Sequence, residues 1–158
     1  MKRSIATLCV LSLLGGLLVI AGAGLSLSAS PPKATGGVAF TTIEGGTEVQ
    51  RKIEFNAHAT DPAKGNLNYR DSNGDWFRVD IQCVTVVGKR AFFSGPITSG
   101  SQDEWADQWL LVIVFDGGTP GRKGDLVWGE MYDSDPGCEP QPFPDKPWPV
   151  ENGNLVVH

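Results

Sequence analysis

Asp71, Asn73 and Asp75 stand at alternate positions in the stretch Arg70-Asp71-Ser72-Asn73-Gly74-Asp75-Trp76-Phe77. Side-chain oxygens at this spacing open a calcium-binding loop, where hard oxygen donors wrap a hard cation. The same stretch contains Asn-Gly, the strongest short signature of a tight hairpin turn. The helix-loop-helix calcium motif is absent: its sixth position needs Gly and is Trp76, and its twelfth needs Glu and is Gln82. A looser calcium site at a hairpin tip, built from Asp71, Asn73 and Asp75, stays open beside the plainer reading of a corner. Asp116 and Asp125 flank a glycine-rich loop and form a second candidate oxygen-rich corner.

Register arithmetic constrains the first corner. With only Asn73-Gly74 in the loop, Tyr69 would face Arg78 and Leu67 would face Asp80. With Ser72-Asn73-Gly74 in the loop, Tyr69 faces Phe77 and Leu67 faces Val79. Opposed residues share a sheet face, so the three-residue loop gives one apolar face. Gly74 then supplies the left-handed residue that such a loop requires. The same register sets Asp71 opposite Asp75, a mild like-charge conflict that a cation would relieve.

Other catalytic chemistry finds little support. The chain has two histidines, His58 and His158, which leaves a Ser-His-Asp triad or a three-ligand zinc site poorly supplied. Eighteen acidic residues always offer carboxylate pairs of the glycosidase kind, but no spacing singles one out. The loop Gly117-Gly118-Thr119-Pro120-Gly121-Arg122-Lys123-Gly124 joins two strands and lacks the helix N-terminus that phosphate cradles use. No catalytic residue is assigned. Of five tryptophans, Trp105 and Trp148 have polar or Pro-rich neighbours and read as exposed, able to stack on a sugar ring or a partner. Partial burial against the sheet ends is the plainer alternative.

The elements that position these residues read as strands. Apolar residues alternate, or run for five to seven positions, between Gly, Pro, Asn and Asp clusters. The expected strands are 37–43, 50–60, 65–71, 75–87, 90–98, 108–116, 125–132 and 154–158, and no helix is expected. About eight short strands imply an all-β antiparallel β-sandwich or barrel. Residues 109–115, Trp-Leu-Leu-Val-Ile-Val-Phe, are apolar on both faces and read as a central strand. Gly88-Lys89 suits a two-residue type II′ turn. The Pro-rich segment from Ser134 to Glu151 does not suit a sheet interior; it reads as a stapled crossover or, alternatively, a binding loop.

Lys2 and Arg3 precede an apolar run from Ile5 to Ile20 and then small residues. That order is a signal peptide over residues 1–29, with a retained N-terminal anchor as the alternative. Either places the domain, 37–158 after a spacer at 30–36, outside the cytoplasm. The expected localisation is secreted or cell-surface, touching a membrane only through the N-terminal segment. Loss of the leader removes Cys9 and leaves Cys83 and Cys138, which an oxidising compartment would pair. Loss of Lys2 and Arg3 leaves eleven basic residues against eighteen acidic, a net charge of about −7. An acidic chain with scattered basic doublets is a poor nucleic-acid binder.

Cys83-Val-Thr-Val-Val-Gly-Lys-Arg-Ala-Phe-Phe-Ser-Gly95, Val112-Ile-Val-Phe-Asp-Gly-Gly118 with Gly124-Asp125, and Gly153-Asn-Leu-Val-Val-His158 carry a resemblance. Together they resemble a group of small secreted bacterial all-β proteins with a Gly-Asn-Arg-Ala hairpin, a Val-x-Asp-Asn-Gly loop and a Gly-Asn-Ile-x-Val-His end. The likeness covers roughly residues 37–158. Lys89 replaces the group's usual Asn, and Gly117 replaces the Asn after the aspartate at position 116. The resemblance implies export, an all-β domain and a disulfide between Cys83 and Cys138. The group has no established activity, so no catalytic residue transfers. The expected role is a non-catalytic surface or secreted module that binds a glycan, a protein or a cation. The rivals are an extracellular carboxylate-based hydrolase and a barrel that carries a small apolar molecule. A hydrolase needs a deep cleft with converging acids, and a carrier needs an apolar cavity inside the barrel.

Overall fold

The computed structural model of the 158-residue chain describes residues 30–118 and 124–158. The expected leader over 1–29 lies outside the described residues. The described chain is all-β, one antiparallel sheet curled into a half-barrel. Its strands are β1 (Lys33–Glu44), β2 (Thr47–His58), β3 (Lys64–Asp71), β4 (Trp76–Ile81) and β5 (Cys83–Val87). They continue as β6 (Arg90–Gly100), β7 (Trp109–Phe115), β8 (Leu126–Tyr132), β9 (Trp148–Pro149) and β10 (Asn152–Val157). The order across the sheet is β10-β1-β2-β3-β4-β6-β7-β8-β9, with β5 also paired to β6.

Period-two alternation sorts side chains into an inner and an outer face. On β2, Val49, Ile53, Phe55 and Ala57 are buried while Gln50, Lys52, Glu54 and Asn56 are exposed. The β3–β4 hairpin adopts the register of the three-residue loop, with Tyr69 opposite Phe77 and Leu67 opposite Val79. Gly74 takes φ 92° at its tip. Gly88 takes φ 58° and Lys89 keeps a negative φ, as a type II′ turn requires. Gly36 leaves room for the ring of Phe55, which a Cβ there would approach to 2.9 Å.

The sequence pattern and the sheet differ in three places. The single strand expected over 75–87 is broken at Gln82. Its halves, β4 and β5, pair with opposite ends of β6, and the ladder shifts register between Arg78 and Val79. Gly95 faces the break: a Cβ there would fall on the carbonyl oxygen of Asp80, so β6 crosses β4 only because that side chain is missing. β1 starts at Lys33, within the stretch expected as a spacer, because Ala34 is fully buried. Small residues had hidden that alternation. Finally, the Pro-rich segment contributes β9, a two-residue edge strand beside β8, the position where proline is tolerated.

β7 is buried on both faces. Leu110, Val112 and Val114 point into the main core, while Ile113 joins Phe92 and Cys138 in a second cluster outside the sheet. The Pro-rich segment covers that cluster with Phe143 and is fastened by the Cys83–Cys138 disulfide, Cα atoms 5.7 Å apart. Burial on the outside thus explains a strand with no polar face.

Candidate functional site

The Asp71–Asp75 corner is held by its own carboxylates. Asp71 Oδ1 accepts the backbone N–H of Asn73 (2.9 Å) and of Asp75 (3.0 Å). Asp71 Oδ2 accepts the Tyr69 hydroxyl at 3.0 Å. Asp75 Oδ1 turns the other way and accepts Ser101 Oγ (3.0 Å) and Gln102 Nε2 (2.7 Å), tying the hairpin to the connection after β6. Asn73 is exposed and enters through its N–H. The Asp71 bonds are Asx-type turn chemistry, while Asp75 serves a tertiary contact to Ser101 and Gln102. Among the described residues, His, Cys, Asp and Glu form no group of three or more suited to a metal ion.

The second acidic corner is built alike. Asp116 accepts Gly118 N (2.7 Å) and Val157 N (3.0 Å), and Asp125 accepts Gly117 N (2.8 Å). Residues 119–123 of that loop lie outside the described residues.

A cavity of about 270 Å³ lies inside the curled sheet at the end that carries the β1–β2 and β3–β4 turns. Phe40, Ile53, Leu67, Phe77, Leu110 and Val127 form the apolar part of its wall, and Glu44, Arg51, Asp71, Asp75 and Glu130 add charged groups. The sheet leaves a lateral opening there. β10 pairs β1 only over Ala34–Ala39, and β9 pairs β8 only at Leu126 and Val127. Beyond those points Phe40–Glu44 and Trp128–Tyr132 each have one strand neighbour, and both edges contribute residues to the cavity lining.

Trp105 and Trp148 stand at this end. They are half-buried rather than exposed, and both line the cavity. Trp105, in a single 3-10 turn at Asp103–Trp105, meets the Phe77 ring edge-on at 5.4 Å. Trp148 stacks on Phe40 at 5.2 Å, and Tyr69 stacks on Phe77 at 4.4 Å. Packing against the sheet, the plainer reading, describes both tryptophans, and the cavity gives that packing a free surface.

Positive charge enters the cavity at one inner position that the sequence reading passed over. Arg51 occupies an inward site of β2 between Val49 and Ile53. Its guanidinium pairs with Glu44 and lies over the Tyr69 ring, 5.7 Å from the centroid. Burial pushes the Tyr69 phenol well above its ordinary value, with the Asp71 carboxylate adding to the rise against the opposing pull of Arg51. The detectable signal was the alternation itself: a charge at an inward position of an otherwise regular amphipathic strand is a buried polar group needing a reason.

No Ser, Cys or His lines the cavity. Lys33 is the register partner of His58 and exchanges two backbone hydrogen bonds with His158, so both histidines sit at the opposite end. Ser-His or Cys-His chemistry therefore has no partners in the cavity lining, and the acids there, Glu44, Asp71, Asp75 and Glu130, are each engaged by a neighbouring side chain. Comparison with known proteins finds no match: no family model, curated protein or solved structure aligns with this chain.

Proposed function

We propose that this protein is an exported, non-catalytic module that carries a small molecule with an apolar body in the open end of its curled sheet. One observation carries the reading: an apolar cavity inside the sheet, reached through a gap where the wall lacks a strand. Of the three roles expected from sequence, the carrier called for an apolar cavity inside the sheet and the hydrolase for a cleft with converging acids; the acids in this lining are engaged by Arg51, Tyr69, Ser101 and Tyr132, which favours the carrier. Specific sites of this kind are concave, mostly apolar and furnished with a few polar groups. Arg51, Glu44 and Asp71 are those groups here. At about 270 Å³ the space lies just below the range of about 300–1,000 Å³ of drug-sized sites, which favours a ligand of one or two rings.

Titration with 2-naphthol, an uncharged aromatic probe at neutral pH, tests the reading. Calorimetry on the oxidised protein should give saturable one-site binding accompanied by a change in tryptophan emission. Trp148→Ala should weaken binding while the thermal transition stays cooperative. Heat that never saturates, from a protein with an intact thermal transition, would remove the carrier reading.

A further inference from the structure

We infer that the ligand of this cavity is a small organic cation, an ammonium or amidinium group on an apolar or aromatic body. This rests on the carrier reading and names the class of ligand for it. Two independent properties of the lining point the same way. The first is aromatic content: Phe40, Tyr69, Phe77, Trp105 and Trp148 all line the space. The faces of such rings carry the negative part of a quadrupole and attract cations, most strongly when water is excluded. The second is charge. Glu44, Asp71, Asp75 and Glu130 line the cavity against a single guanidinium, that of Arg51.

The protein already displays this recognition with its own side chain. Arg51 reaches the interior of an apolar strand face, rests over Tyr69 and pairs with Glu44. That is a cation held by one ring and one carboxylate within the same walls. Asp75 is the carboxylate best placed to repeat it for a ligand. Its Oδ1 is engaged by Ser101 and Gln102, which fixes the group while its second oxygen makes no hydrogen bond among the described residues. An anionic ligand would meet the reverse situation: its one counter-ion is already paired, and the surplus carboxylates, half-buried Asp71 and Asp75 with Glu44 and Glu130 at the exposed rim, repel it, most strongly at low salt.

The test is an isosteric series on the oxidised wild-type protein at neutral pH and low salt: 4-phenylbutylamine, 4-phenyl-1-butanol and 4-phenylbutyrate, measured by calorimetry. The amine should bind about tenfold more tightly than the alcohol, the order expected of a desolvated cation–π contact with carboxylate support. The carboxylate should bind weakest. Asp75→Asn keeps an acceptor for Ser101 and Gln102, so it should cut amine binding severalfold and leave the alcohol unchanged; Glu44→Gln provides an independent second variant. Equal binding of the three probes, or a preference for the carboxylate, overturns the cation assignment and leaves the carrier reading standing. Binding by none of them overturns the carrier reading and the assignment with it.

Discussion

The two ends of the curled sheet are built by the same strands and come out differently. At the closed end the inward positions are Ala34 on β1, Ala57 on β2, Ile81 on β4, Ala91 on β6 and Leu155 on β10, each nearly or fully buried. Lys33 and His158 exchange two backbone hydrogen bonds there, 3.0 and 2.9 Å. At the open end the same inward rows finish in Glu44, Arg51, Asp71 and Asp75, and the last strand no longer fills the wall. Small residues let the closed end collapse to native density. At the open end rings and charges pair with one another instead, Tyr69 with Phe77, Phe40 with Trp148 and Arg51 with Glu44, and a space remains beside them. The lesson is that alternation decides which face is inside, whereas the size and charge of the inward residue, row by row, decide whether the inside is filled.

The largest effect should come from emptying the filled end. Phe93 is 1% exposed and its ring lies 5.1 Å from that of Phe55. Phe93→Ala should cost about 3–5 kcal/mol, measured by urea unfolding. Trp105→Ala, at the open end, should cost about 1–2 kcal/mol, since half of the ring's area contributes. Equal losses would mean that the open end is as tightly packed as the closed one, and the contrast would fail.

Next comes the staple on the outside. The Cys83–Cys138 bridge spans 55 residues, and closing a loop of that length is worth about 4 kcal/mol in the chain-entropy model. Replacing both cysteines by serine should lower stability by roughly that amount. It should also loosen Phe143 from Phe92 and Ile113, so protease cleavage should appear within 134–147 before the sheet is attacked. A stable double mutant that resists cleavage there would show that the apolar cluster holds the segment unaided.

How far this was legible depended on the kind of signal. The 69–77 and 67–79 pairs followed from alternation plus one turn glycine, because a slip of one residue would have turned every apolar side chain outward. The disulfide followed from cysteine number. The break at Gln82 was invisible, since it depends on where β6 lies in space, and Gly95 becomes meaningful only once Asp80 is its neighbour. The Asp71-Asn73-Asp75 pattern was visible as oxygens, but hydrogen bonding within a turn and cation binding use the same residues at the same spacing. The cavity was the hardest to foresee. It needs Phe40, Tyr69, Trp105 and Trp148, far apart in sequence, at one end of the sheet, and locally that end was announced by charges at inward positions, Arg51 on β2 and the opposed Asp71 and Asp75.

A smaller effect should follow from the corner. Asp71→Ala removes the acceptor for two backbone N–H groups and the Tyr69 hydroxyl. The loss should be about 1–2 kcal/mol, the scale of a helix cap or a pair of modest hydrogen bonds. Asp71→Asn retains an oxygen and should cost less. Calcium at 10 mM sharpens the point, because a site with a dissociation constant near 0.1 mM would add about 2.7 kcal/mol. A corner held by turn hydrogen bonds predicts a thermal midpoint that calcium leaves in place. A rise that disappears in Asp71→Asn would instead make these aspartates cation ligands.

The smallest effect probes the boundary between the two ends. Tyr69 is 8% exposed, and burial raises its phenol above the ordinary value near 10. A raised pKa means that the folded state holds the proton more tightly than the unfolded chain does. The contribution is complete below pH 10 or so and is lost as pH rises above it, because the unfolded phenol then ionises first. Tyr69→Phe should therefore cost about 1 kcal/mol at neutral pH, for the lost bond to Asp71. The gap should close as unfolding is measured at higher pH, with the lysines and Tyr132 common to both proteins. Parallel curves up to pH 11 would mean that the phenol is solvated like an ordinary one. Water would then reach past Arg51 to the Tyr69 ring, and the apolar character of the cavity floor would begin only at Leu67.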